Sequence, residues 1–488
     1  MLIIYRNTNR KEKILEMRLS KSIDKNYELI ASKLKIKDSF DIIAREIYVG
    51  GKKSYLFFVD GLVKDDVTER ILNTIMNIPK EEMNAIQNIN TFMNKYIAHI
   101  EVDKEDDIDK IVTSVLVGPM AIVIDGFEEC MLLDVRTYPV RGPEEPQNEQ
   151  TLKGPKDGFV ETIVMNTALV RRRVRDENLI FEMLNIGNMS KTDVSIGYIK
   201  GVADENKIEK IKKELENIDV RALEMGQQSL VESLTKSKWY NPFPKIKTTQ
   251  RPDTAAAHLN EGKILIIIDT SPNVIILPTT IFDFMQEVDD YYQPVLTGNY
   301  LRLIRNLTLL TTLILTPIYL LMLEYIDILP TWIRFIEPEK GYAVPIIIQF
   351  LLLEGAVDAL KLASLNTPGS LGMSLSVVGA LILGEFAIKT EWFVPETILY
   401  IAVVSLGSFA QTSIELGFAI KLCRIMILIL TGIFDIWGFI VGLIITIILV
   451  ATNKTIVGGS YLYPLIPFNR TAFMRQIFRT PIRANNKK

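Results

Sequence analysis

Histidine and cysteine are nearly missing from this chain, with two of each in 488 residues: His99, His258, Cys130 and Cys423. Each pair is too far apart to read as a zinc site or a disulfide framework, which argues against a metalloenzyme built on these side chains. No cofactor is expected. An excess of one charge is missing too. Lys and Arg number 55 against 58 Asp and Glu, a formal net charge of -3, so there is no global basic field to hold nucleic acid. Catalytic fingerprints are lacking as well. GNMSKT (187–192) ends like a phosphate-binding loop, but Ser190 stands where a glycine must precede the lysine, and Asn185 where another is needed five residues earlier. No GxSxG elbow occurs, and neither histidine has the neighbours of a general base. A non-enzymatic protein is the expectation.

Residues 1–300 contain no apolar run of the roughly 20 residues needed to cross a bilayer. The start, MLIIYRNTNRKEK, lacks the apolar core of a secretory signal. This half is therefore expected to be soluble and cytosolic. Yet 48% of residues are hydrophobic and mean hydropathy is +0.20 with 23% charged, so the apolar residues are concentrated elsewhere. They fall in the last third.

The soluble half repeats itself. SYLFFVDGLV (54–63) reads as a buried strand followed by a helix in DDVTERILNTIMN. VSIGYIKGVA (194–203), with Asp204 opening NKIEKIKKELENI, gives the same pattern again. MAIVIDGFEECMLL (120–133) and ILIIIDTSPNVIIL (264–277) each read as strand, tight turn and strand, with Asp125 and Asp269 at matching places. Two related α/β subdomains are expected, at 30–140 and 175–295, with sheets covered by helices. Residues 1–29 would be an N-terminal extension.

Between them, 141–174 is expected to be a charged connection ending in a helix start. Pro143, Pro146, Gly154, Pro155 and Gly158 prevent regular structure there. Arg141, Glu144, Glu145, Glu149, Lys156 and Asp157 alternate in sign, a pattern that suits an inter-subunit or inter-domain interface and equally a solvated linker. The basic run Arg171, Arg172, Arg173 and Arg175 reads as opening the next helix. It could pair with a neighbouring subunit, face anionic lipid, or simply be solvated.

Apolar segments lie at 307–326, 343–365, 370–389, 393–412 and 416–451. The last is too long for one span and is interrupted near Asp435 and Trp437, so it reads as a helical hairpin. This makes an α-helical transmembrane domain (300–452) of about six crossings, or five if the final segment is re-entrant. The tail (453–488) carries Arg470, Arg475, Arg479, Arg483, Lys487 and Lys488 without an acidic residue after Pro467, which marks it as cytoplasmic. Trp332, Trp392 and Trp437 would then lie at the outer helix ends, with Lys361, Lys421 and Arg424 toward the inside. Gly379, Gly384, Gly407, Gly417 and Gly442 would allow close helix packing.

The second apolar segment carries Glu354 and Asp358, four residues apart and so on one helical face. Intramembrane carboxylates face a bundle interior or a watery cavity and mark ion paths, and acidic rings favour cations. The competing reading is an internal ion pair with Lys361. Glu385, near the end of the third segment, is a further candidate for the polar face.

PVRGPEEPQNEQTLKGPKDGFVETIVMNTALVRRRVR (139–175), SKTDVSIGYIKGVA (190–203), RPDTAAAHLNEGKILIIIDTSP (251–272) and DDYYQP (289–294) resemble the A subunits of the spore germination receptors, the GerA/GerBA/GerKA family. DSFDIIAREIYVGGKKSYLFFVDGLVKDD and NTPGSLGMSLSVVGALILGEFAIK look more like its SpoVAF branch. The resemblance implies a multi-pass protein of the endospore inner membrane, with two cytosolic α/β subdomains and a C-terminal membrane domain. It also implies a homo-oligomeric ring around an ion pore. A receptor A subunit would work beside a transporter-like B subunit and a C lipoprotein, and a SpoVAF-like protein beside another membrane partner. Glu354 and Asp358 match in type and spacing two acidic residues of the family's corresponding helix. The expected function is release of monovalent cations during germination. A non-conducting scaffold is the alternative, and a secondary transporter is the weaker one, for want of repeated halves.

Overall fold

Two five-stranded antiparallel sheets with the same strand order organise the chain from Ile42 to Leu277. In each, the first strand in sequence lies at one edge and the third at the other, with the second, fourth and fifth between them in that order. The computed structural model describes residues 18–37, 42–60, 62–137, 142–146, 149–235, 239–338, 342–365 and 387–479. It divides the chain into two compact units, Met1–Val140 and Arg141–Lys488.

In the first unit the sheet comprises β1 (Ile42–Val49), β2 (Lys52–Val59), β3 (Val102–Glu105), β4 (Met120–Ile124) and β5 (Cys130–Leu133). Successive side chains of a strand point to opposite faces. In β4, Met120, Ile122 and Ile124 join one core with Ile71, Leu72, Ile75 and Phe92 of the helices on that side. Ala121 and Val123 join another with Ile23, Ile30, Ile111 and Val115. A central strand covered on both faces must be apolar at every position, which is why MAIVI shows no alternation.

The second unit repeats this arrangement with β6 (Leu179–Ile186), β7 (Thr192–Ile199), β8 (Lys247–Thr249), β9 (Ile264–Ile268) and β10 (Val274–Leu277). Ile264, Ile266 and Ile268 face the helices Glu205–Glu216 and Gln227–Leu234. Leu265 and Ile267 face Ile163–Arg173 and Pro252–Asn260. The segments paired by sequence occupy equivalent positions. β2 begins at Lys52 and β7 at Thr192, and the helices that follow them, Asp65–Met76 and Glu205–Glu216, begin with the same offset.

Equivalent hydrogen bonds extend the repeat to side chains. Asp125 Oδ1 accepts from the Ile23 N–H at 3.2 Å, and Asp269 Oδ1 from the Ile163 N–H at 3.0 Å. Each carboxylate satisfies an orphan donor at a helix start. One turn on, the Asn26 side chain clasps the backbone of Ser20 and the Asn166 side chain that of Val160. The helix Ile163–Arg173 thus packs under the second sheet, although its sequence position lies in the expected connection at 141–174. Likewise Ile23–Leu34, which straddles the expected boundary at residue 30, contributes Ile23, Ile30 and Leu34 to the first core.

The second unit continues into apolar helices: Val295–Glu324, Ile346–Leu365, Pro395–Phe409 and Ile414–Ala451. Two described helices, Val295–Glu324 and Ile414–Ala451, are long and apolar enough to cross a membrane. Ile346–Leu365 has the length, at 20 residues, but carries Glu354, Asp358 and Lys361. The third expected segment, 370–389, lies outside the described residues apart from Ala387–Lys389.

Ile414–Ala451 spans 38 residues and leaves helical geometry at Asp435 (φ 51°, ψ -132°). There it folds back. A Cβ on Gly438 would stand 1.8 Å from the Leu430 carbonyl oxygen, and one on Gly442 3.1 Å from the Ile427 Cα. Only glycine permits arms this close. Residues from both ends of the hairpin, Leu416 and Leu449, meet Phe284 and Tyr461 in one cluster beside the second sheet. Asp435 lies at the far end, in a cavity with Glu324 and Tyr342.

The buried Asn166 clasp makes a test. Asn166→Ala leaves an N–H and a C=O buried without partners and should lower unfolding free energy by about 3 kcal/mol. Asn185→Ala, which removes an exposed hydrogen bond to Asp193, should cost under about 0.5 kcal/mol. Equal melting temperatures for the two variants would refute this account of the clasp.

Candidate functional site

Four ionisable side chains meet where Ile346–Leu365 crosses the first arm of the hairpin. Glu354 and Asp358 lie one turn apart on one helix, Lys421 and Arg424 three residues apart on the other, so each pair shares a face. Arg424 binds Glu354 Oε1 through Nη2 at 2.6 Å and Nε at 2.8 Å. Lys421 Nζ lies 3.1 Å from Glu354 Oε2 and 2.5 Å from Asp358 Oδ2. Arg424 Nη1 also donates to the Thr312 carbonyl at 2.8 Å, bringing in the first apolar helix. Three helices are thereby tied at one level. Each ion loses hydration worth several kcal/mol on burial, and only close, multiply bonded partners repay it.

The two carboxylates differ. The Glu354 side chain is 6% exposed and held by both cations, whereas that of Asp358 is 39% exposed. Asp358 Oδ1 is buried with no hydrogen-bond partner among the described residues. The ion pair weighed in the sequence thus has different cations. Lys421 and Arg424, read there only as markers of helix orientation, hold the carboxylates, while Lys361 sits 4.5 Å over the Phe409 ring. Glu385 lies outside the described residues.

Gln349, fully buried, completes the frame. Its amide donates to the Val344 carbonyl at 2.8 Å and accepts from Val394 N–H at 3.0 Å and Thr397 Oγ1 at 2.9 Å. The helix Pro395–Phe409 approaches the first apolar helix at Gly407, where a Cβ would stand 2.5 Å from Thr312.

A second charged constellation joins the second sheet to the helices. Asp290, fully buried, accepts from Arg305 at 2.9 and 3.1 Å and from Arg302 Nε at 3.4 Å. Arg302 Nη1 donates to the carbonyls of Arg475 and Gln476, and Arg479 Nη1 to that of Asp290 at 3.0 Å. The tail is thus clasped to the start of the first apolar helix. Arg251, 1% exposed, binds Asp253, the carbonyls of Glu149 and Pro155, and the Thr151 hydroxyl. Burial pushes the Asp253 carboxyl up, but hydrogen bonds from Arg251 and Tyr292 outweigh it and hold the group low. Burial raises Glu149 despite hydrogen bonds from Thr249 and Gln250.

The charged connection is largely occupied within the second unit. Glu145 pairs with Lys156 at 2.7 Å, and Asp157 with Arg173 at 2.6 Å. Arg171 donates to the carbonyls of Asp176 and Leu179, and Arg175 to that of Arg172. The arginine run closes the helix Ile163–Arg173 instead of opening the next one, placing cations at the negative end of the helix dipole. Glu144 and Arg172 are exposed, and Arg141 lies outside the described residues.

The family described as "Bacillus/Clostridium GerA spore germination protein" matches residues 30–488, and the chain belongs to this family. It is similar to stage V sporulation protein AF of Bacillus subtilis (strain 168), 36% identical over 465 residues, 95% of this chain and 94% of the relative. It is 27% identical to spore germination protein KA of the same organism, over 98% of this chain and 88% of the relative. Among solved structures, the N-terminal domain of the A subunit of the Bacillus megaterium germinant receptor GerK3 is 25% identical. That match covers 54% of this chain and 96% of the domain, with a TM-score of 0.21.

Two outcomes test these sites. Glu354→Gln strands Arg424, leaving Lys421 only Asp358, and should cost about 3 kcal/mol, whereas Glu354→Gln with Arg424→Gln should cost less than the sum of the single changes. Additive losses in detergent-solubilised protein would show that the pair is not coupled. At the junction, burial pushes Asp283 up, but Lys263 beside it, with His258 and the Thr280 N–H, brings it down to about 2 from 3.8. Its contribution, about 2 kcal/mol, is present above the unfolded value and lost as pH falls through the folded one. Asp283→Asn should flatten the dependence of unfolding on pH between 3.8 and about 2, and an unchanged slope would refute the assignment.

Proposed function

We propose that this chain is a non-enzymatic, multi-pass protein of the endospore inner membrane, and that several copies together release monovalent cations during germination. The supporting observation is the charge cluster of Glu354, Asp358, Lys421 and Arg424 among apolar helices. Ionisable groups at such depth are costly and mark functional paths. In this reading the helices make about six crossings, with both α/β subdomains and the basic tail on the cytoplasmic side.

The paired cluster is the closed state. Two carboxylates facing two cations offer no net negative field to a passing cation, so conduction requires Lys421 to leave the carboxylates. Asp358 is the group placed for this, because it is half exposed and one of its oxygens has no hydrogen-bond partner among the described residues. Neighbouring copies, and a B subunit and C lipoprotein or another membrane partner, would shift the closed bundle toward the open one.

The scaffold reading keeps a specific support, since Glu354 is fully engaged by Arg424 and Lys421. Potassium flux from liposomes holding the intact oligomer separates the two. Asp358→Asn should reduce flux roughly tenfold if the carboxylate lines the path, a rise of about 1.4 kcal/mol in the barrier. Absence of flux from wild type and variant alike, with the oligomer intact, would leave the scaffold standing.

A further inference from the structure

The segment 239–245 leaves the second α/β subdomain and touches the end of the apolar hairpin. Asn241 Nδ2 donates to the Leu449 carbonyl at 2.9 Å, and the Phe243 carbonyl accepts from Asn453 Nδ2 at 3.4 Å. Phe243 is buried with Leu416, Ala419 and Tyr461. Just before this anchor, Trp239 is 95% exposed and Tyr240 51% exposed, their rings edge-on at 6.0 Å. A tryptophan left this bare in water wastes its apolar surface, whereas the headgroup layer of a bilayer suits both its ring and its N–H.

Beside it opens a cavity of about 360 Å³, whose lining includes Asn241, Lys245, Thr452, Lys454 and Thr455. Glu214 is the carboxylate among the lining residues. The Lys454 ammonium pairs with no carboxylate among the described residues, and Lys210 reaches the Val457 carbonyl at 2.7 Å nearby. The helix ending at Ala451 presents its negative pole here, which the lysines offset.

We propose that this cavity binds the phosphate of an anionic phospholipid headgroup, with Trp239 and Tyr240 lying in the adjoining interface. Lys245 and Lys454 supply the charge, and Thr452, Thr455 and Asn241 the polar rim. The inference rests on the membrane reading above, since the hairpin end must lie at a bilayer surface. Anionic lipid then docks the second subdomain on the membrane and fixes its orientation over the helices.

The full chain with Trp239 as its single tryptophan (Trp332→Phe, Trp392→Phe, Trp437→Phe) is reconstituted into phosphatidylcholine vesicles. Headgroup-labelled phosphatidylglycerol or phosphatidylcholine is added as quencher. The expected result is a preference of roughly thirtyfold for the phosphatidylglycerol label, as two lysines at about 1 kcal/mol each provide. Lys245→Gln with Lys454→Gln should abolish that preference while the protein stays resistant to alkaline carbonate extraction. Equal quenching by both lipids, or a preference that survives the lysine changes, overturns the site. Loss of the preference on adding inorganic phosphate assigns the cavity to a soluble anion and overturns the lipid. Extraction of the unaltered chain by carbonate overturns the membrane reading itself, an outcome visible before any quenching is measured.

Discussion

A carboxylate among apolar helices must be neutralised, and the helical region is arranged around meeting that demand for Glu354. Its partners Arg424 and Lys421 come from the first arm of the hairpin, and Arg424 also reaches the Thr312 carbonyl. The crossing of the helices is thereby set by charge as well as by shape, since apolar faces slide over one another at little cost while a doubly hydrogen-bonded ion pair does not. Gly407, Gly438 and Gly442 then allow the backbones to close around that point. Asp358 shares the same cation with fewer contacts, and the difference between the two carboxylates is what gives the cluster a firm side and a loose one.

The two sheets illustrate how a repeat is maintained by backbone needs. The side chains of the two halves have drifted: Ser20 stands where Val160 does, and Lys53 where Asp193 does. What persists is the carboxylate that receives the first helical N–H and the asparagine that clasps the chain before it. These satisfy backbone groups that are buried at Val160 and part-buried at the other sites, and few other side chains have the required length and acceptors.

Much of the architecture could be read from the residues alone. The apolar strands with their turns, the recurrence of strand and helix in the second subdomain, and the fold-back near Asp435 are local patterns, and local patterns show in sequence. The spin of each helix is not local. Glu354 and Asp358 stand out as carboxylates in an apolar run, but that their partners are Lys421 and Arg424, 70 residues on for the Glu354–Arg424 bond, depends on helix packing. Lys361 is closer in sequence and is the natural expectation for the same reason. Arg171, Arg172 and Arg173 mislead differently: a basic run suits a helix end, and here it is the end of the preceding helix. Asp290 and Arg251 lie inside the motifs DDYYQP and RPDTAAAH, yet their role as junction anchors is visible only once the tail and connection fold over them.

The clasp between Arg479 and the Asp290 carbonyl joins groups 189 residues apart. During synthesis the acidic loop and the first apolar helix emerge long before the arginine that closes over them. Arg302 and Arg305, only 12 and 15 residues from Asp290, can hold its carboxylate in the interval. Arg479 then closes over a loop and helix start that its own segment reaches only after the intervening helices have been made.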